Sequence, residues 1–86
     1  MDDASLPRHI PLQPYGRIAG CVIRARRVEL NMTQEDLVAE SGIDISFVSR
    51  LERGLTQPSV GVLIRLAASL QISASELMKK IEQRLP

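Results

Sequence analysis

TQEDLVAESGIDISFVSRLERG, residues 33 to 54, holds two short helical patterns on either side of one glycine. Thr33 stands three residues before Asp36, close to a capping box, and Leu37 and Val38 supply the inward side of a helix of about two turns. Gly42 ends it. Asp44 then offers an N-cap for ISFVSRLER, whose end is marked by Gly54. A turn of about three or four residues therefore joins the two helices. In the second helix Val48 and Leu51 set a buried direction. At about 100° per residue, Ser46, Ser49, Arg50 and Arg53 point away from it, and Ile45 and Phe47 flank it on opposite sides.

Working outward, Pro7, Pro11 and Pro14 each remove a backbone donor and push the preceding residue out of helix. An extended arm is expected over residues 1–15 and a helical domain over 16–86. RIAGCVIRARRVEL places Ala19, Ile23 and Leu30 on one side of a first helix, and Asn31 can supply a left-handed stop. After the loop LTQPS, Ser59 can cap VGVLIRLAASL, where Val60, Leu63, Leu66, Ala67 and Leu70 recur at helical spacing. Ser73 and Glu76 then predict a full capping box for a fifth helix running through ELMKKIEQRL.

The chain of 86 residues is too short for two independent cores. With 44% hydrophobic but only 2% aromatic residues, that core must use Leu, Ile, Val, Ala and Met, which suits packed helices, so the expected class is all-α. Cys21 is alone and matches no paired metal or redox spacing; it is expected to be a small core residue, with His9 solvated in the arm. Neither metal nor cofactor is expected. No signal peptide and no membrane-length apolar run are read, so the cytoplasm is the expected compartment. One His, one Cys and surface carboxylates assemble no nucleophile, base and orienter, which argues against an enzyme. A net charge of +1 decides little. Its distribution says more: Arg17, Arg24, Arg26 and Arg27 cluster early and Arg50 and Arg53 follow, with Glu35, Asp36 and Glu40 between.

The run TQEDLVAESGIDISFVSRLERGLTQPSVGVLIRLAASLQISASEL resembles the Xre family, the Cro and lambda-repressor class of helix-turn-helix regulators, from about Ile18 to Leu77. Its marks are Thr33-Gln34, Gly42, VSRLERG, Pro58-Ser59 and the Leu63, Ala67, Leu70 ladder. The resemblance implies a five-helix lambda-repressor-like domain that binds double-stranded DNA, with helix 45–53 as recognition helix. A B-form major groove admits one helix and presents a distinct pattern for each base pair. Candidate base contacts are Ile45, Ser46, Phe47, Ser49 and Arg50. Ser46 and Arg50 lead because serine serves several bases and arginine can fork onto guanine. Ile45 and Phe47 can meet a thymine methyl or instead cover the core edge. Family members more often carry a polar or basic residue at the position of Ile45. By resemblance, Gln34, helped by Thr33, and Arg53 are expected on phosphates. Arg27 and Glu52 match a pair joining helix one to helix three.

Val62, Ile64, Met78, Ile81 and Leu85 form an apolar line expected to mark an interface. A homodimer, as in small family members that pair through C-terminal helices, would set two recognition helices about 34 Å apart on a pseudo-palindromic operator. The short chain resembles phage repressors and restriction-modification controller proteins, Phe47 hinting at the latter. The alternative is a protein-interaction module, an antitoxin or adaptor, with a partner bound through the helical bundle or the arm.

Overall fold

A computed structural model describes residues 14–86, which form five helices and, among the described residues, no strand: α1 (Pro14–Glu29), α2 (Gln34–Ser41), α3 (Ile45–Glu52), α4 (Val60–Ser69) and α5 (Ala74–Glu82). Residues 1–13 of the expected arm lie outside this range. The helix α1 begins earlier than expected, because Pro14 occupies its first turn, where a missing N–H costs nothing and a fixed φ suits the helix.

Local chemistry sets most boundaries. Asn31 takes φ 59°, and Met32 N–H donates to the Arg27 carbonyl at 3.0 Å, closing α1 with a left-handed stop. The Thr33 hydroxyl accepts from Asp36 N–H at 3.0 Å while Thr33 N–H donates to Asp36 Oδ2 at 2.8 Å, a complete capping box for α2. Gly42 ends that helix at φ 71°. Asp44 caps α3, and Gly54 at φ 76° with Leu55 N–H donating to the Arg50 carbonyl at 2.9 Å terminates it. Ser59 caps α4 by accepting from Val62 N–H at 3.1 Å. Gln71, which no pattern marked, stops α4 at φ 61°. At α5 the expected box is only half made: Ser73 accepts from Glu76 N–H at 3.1 Å, but the longer Glu76 side chain stays in solvent and Ser73 Oγ meets Ser75 Oγ instead. That helix stops at Glu82, leaving Leu85 beyond it.

Ile23, Leu37, Val48, Leu51, Leu66, Leu70 and Leu77 are fully buried and draw all five helices onto one core. In it α1 packs on α3 and α5, α2 on α3 and α4, and α4 on α5. The contact of α1 with α3 is close enough that a Cβ on Gly20 would lie 2.0 Å from the Leu51 carbonyl oxygen. Three expectations fail on geometry. Cys21 is exposed because it lies about 200° from both Ala19 and Ile23, whose side Val22 shares. Val60 is exposed, lying roughly 90° off the direction of Leu63, Leu66 and Leu70. Leu30 is only half-buried, in the turn after α1.

Candidate nucleic-acid interface

The turn between α2 and α3 is anchored from within. Ile43 is buried in it, and the buried Ser41 hydroxyl accepts Ile43 N–H at 3.1 Å, so the two helices meet at a constrained angle. Neither residue was singled out from the sequence, where each looks like ordinary turn composition.

On this base α3 turns one face outward. Ile45 is 40% exposed, Ser46, Arg50 and Arg53 are exposed, and Ser49 is half-buried. Phe47 is half-buried and packs against the core, its ring centroid 5.8 Å from the Arg50 guanidinium carbon. The ring therefore closes the core edge and lies beneath Arg50, while Ile45 faces solvent. Ser46 donates its hydroxyl to Asp44 Oδ2, and Asp44 Oδ2 also accepts Ser46 N–H at 3.0 Å. These bonds, the hydroxyl first, hold the Asp44 carboxyl below its ordinary value. Arg50 Nη1 sits 3.5 Å from Ser46 Oγ, and Arg53 Nε donates to the Ser49 carbonyl at 3.3 Å across the last turn.

Three helices are tied behind that face. Arg27 of α1 donates from Nε to Glu52 Oε2 at 2.7 Å, from Nη2 to Oε1 at 2.9 Å, and from Nη1 to the Met32 carbonyl at 2.6 Å. Hydrogen bonding to Glu52 raises the Arg27 pKa above its ordinary value. Gln34, the first residue of α2, donates from Nε2 to the same Glu52 Oε1 at 3.0 Å. One N–H and the carbonyl oxygen of its amide remain for other use. Thr33 is exposed with its hydroxyl in the cap. The reading of the sequence missed the link from Gln34 to Glu52, and it also missed Arg26, whose Nε donates to the Leu70 carbonyl at 2.9 Å and whose Nη1 pairs with Glu29 at 2.6 Å. Arg17 and Arg24 are exposed.

The other expected surface divides. Ile64 and Met78 are exposed, and Val62 and Leu85 are half-buried. Ile81, expected on that surface, is only 6% exposed and belongs to the core, because it shares the inward side of α5 with Leu77. Ile81 forms part of the lining of an apolar groove of about 430 Å³ that also includes Leu63, Met78 and Leu85. Among the described residues no His, Cys, Asp and Glu side chains gather into a metal-binding group of three or more. No single helix there is long and apolar enough to cross a membrane.

Comparison with known proteins matches this arrangement. An uncharacterized HTH-type transcriptional regulator of Mycobacterium tuberculosis is 36% identical over 58 residues, covering 67% of this chain and 41% of the relative. Another, y4dJ of Sinorhizobium fredii, is 34% identical over 67 residues, covering 78% of this chain and 87% of the relative. The chain thus spans well under half of the Mycobacterium relative's length. Among solved structures, the restriction-modification controller protein C.AhdI of Aeromonas hydrophila superposes with a TM-score of 0.69 at 34% identity, over 72% of this chain and 94% of that one. The controller protein C.Esp1396I, bound to a 19 base pair DNA duplex, gives a TM-score of 0.74 at 26% identity, over 80% and 92%. The helix-turn-helix family matches residues 23–77, the span from the middle of α1 into α5, and the chain belongs to that family in its Cro/C1-type form.

Proposed function

We propose that this protein is a sequence-specific, double-stranded-DNA-binding transcriptional regulator that presents α3 to the major groove and binds a pseudo-palindromic operator as a homodimer. The observation that carries this reading is the outward face of α3: Ser46 and Arg50 are exposed on a helix whose opposite side, Val48 and Leu51, is completely buried. A helix held this way offers donors and acceptors at a fixed height above its own core, as groove reading requires. In this reading Ser46, Arg50 and Ser49 face base edges, and Ile45 meets a thymine methyl. Phe47 serves chiefly as support for Arg50. Thr33 and Gln34 lie at the start of α2, where a helix N-terminus favours a backbone phosphate, and Arg53 at the end of α3 meets one through its own charge.

The similarity to C.Esp1396I, whose structures include a complex with a 19 base pair duplex and a tetramer on its natural 35 base-pair operator, supports both the duplex partner and assembly. Exposed Met78, which lines the apolar groove, and exposed Ile64 supply apolar surface for pairing two copies. Transcriptional control without catalysis fits relatives that are named as HTH-type transcriptional regulators. Selection of duplexes from a random library by the purified protein, with sequencing of what is retained at moderate salt, tests the reading. A two-fold symmetric motif is the expected result. A folded protein that enriches nothing would overturn it.

A further inference from the structure

Asp44 caps α3, and its carboxylate also takes the one hydroxyl proton that Ser46 could offer a base. An ionised carboxylate only accepts hydrogen bonds, so in the contact between Asp44 Oδ2 and Ser46 Oγ the serine must be the donor. The carboxylate is itself held in place by Ser46 N–H at 3.0 Å, at the helix end where backbone donors are unpaired. What remains of the Ser46 hydroxyl is its lone pairs. Arg50 Nη1, at 3.5 Å from one of them, makes only a marginal contact and is free to swing toward a base.

We infer that Asp44 is a specificity-determining residue: by occupying the Ser46 proton it makes Ser46 an acceptor toward the major groove, selecting an exocyclic amine, adenine N6 or cytosine N4, on the strand it faces. A free serine hydroxyl rotates and serves donors and acceptors alike, whereas guanine O6 and thymine O4 offer only acceptors and repel a lone pair. Arg50, which can only donate, takes the opposite kind of edge. The two side chains, one helical turn apart, thus read complementary chemistry. This inference rests on the reading that α3 enters the major groove.

The test repeats the random-library selection with the wild-type protein, Ser46→Ala, Arg50→Ala, which marks the Arg50-dependent position, and Asp44→Ser, with Asp44→Thr as a second variant. Both serine and threonine are competent N-caps, so α3 keeps its start and a thermal melt checks folding. Ser46→Ala identifies the operator position that depends on Ser46. Every base pair shows one exocyclic amine and one oxo group in the major groove, so base analogues separate them at that position. Removing the amine, with purine for adenine or 2-pyrimidinone for cytosine, is expected to erase the difference between wild type and Ser46→Ala, and removing the oxo group of the paired base to preserve it. Asp44→Ser and Asp44→Thr are expected to reduce the preference at that position by on the order of tenfold, leaving the Arg50-dependent position intact. Loss of the Ser46 contribution on removing the oxo group and not the amine, no position sensitive to Ser46→Ala, or a preference unchanged in both Asp44 variants would each overturn the inference alone. A wild-type protein that selects no motif overturns the DNA-binding reading, and this inference with it.

Discussion

Arg27 and Glu52 form a two-point ion pair across α1 and α3, at 2.7 and 2.9 Å, with the Glu52 side chain only 2% exposed. A third Arg27 donor reaches the Met32 carbonyl, and Gln34 adds a further donor to Glu52. The pair is therefore hydrogen-bonded on nearly all sides, the condition under which a buried charge is tolerated. It also sets the start of α2 against the end of α3, the two elements that frame the proposed DNA face.

Removing one partner leaves the other charged and enclosed. Arg27→Ala is expected to lower folding stability by about 3–5 kcal/mol, measurable by urea denaturation followed by circular dichroism. A loss below about 1 kcal/mol would show that water readily replaces the arginine.

Gly20 is the second structural point. Because a Cβ there would lie 2.0 Å from the Leu51 carbonyl oxygen, Gly20→Ala must push α1 away from α3. Overpacking of this kind costs about 1–3 kcal/mol or more, despite alanine's better helix propensity. A thermal melt showing Gly20→Ala as stable as the wild type would contradict the close approach.

Acid should weaken both helix starts. Asp36 and Asp44 have carboxyl pKa values below their ordinary 3.8, Asp36 through Thr33 N–H and Asp44 through the Ser46 hydroxyl. A depressed folded-state pKa contributes stability that is fully present above the unfolded value and is lost as pH falls through the folded one. Denaturation midpoints should therefore hold steady above about pH 5 and fall below about pH 4. Asp36→Asn, which can no longer titrate, should show a shallower fall than the wild type. Identical acid profiles for the two proteins would remove Asp36 from this account.

Gln34 and Arg50 should fail differently on DNA. Arg50→Ala is expected to relax sequence preference by about 1–3 kcal/mol, whereas Gln34→Ala should weaken specific and random duplexes alike. Because Gln34 also bonds Glu52, its removal should cost about 0.5–1.5 kcal/mol of folding stability as well. Equal losses on both kinds of duplex for both variants, measured by fluorescence anisotropy, would end this division of roles.

Assembly is tested at Met78, 47% exposed on the rim of the apolar groove. Met78→Lys is expected to weaken self-association by about 2 kcal/mol while leaving the melting of the monomer unchanged. Sedimentation equilibrium reads the first quantity. Unchanged association would move the proposed interface elsewhere. Ile81 is unsuitable for this test because its substitution would open the core.

The helices themselves were legible in the residues, since their signals are local. Thr33 with Asp36, Asp44 before α3, Ser59 before α4, and Asn31, Gly42 and Gly54 at the stops all act within a few positions of where they stand. The inward side of α3 was legible too, because Val48 and Leu51 alone fix a direction on a wheel of so few residues. Spacing could not show what the chain meets after it closes. Gln34 finds Glu52 18 positions away, and Arg26 finds the Leu70 carbonyl 44 positions away. Phe47 is apolar for two reasons that only packing separates, one face on the core and the other beneath Arg50. Ile81 looked like part of a surface until α1 and α4 came together with α5 around the core it shares. Backbone preference and capping act through neighbouring residues and are written in order along the chain. Burial and long-range hydrogen bonds exist only once the five helices, of which α2 to α5 are too short to hold alone, have packed against one another.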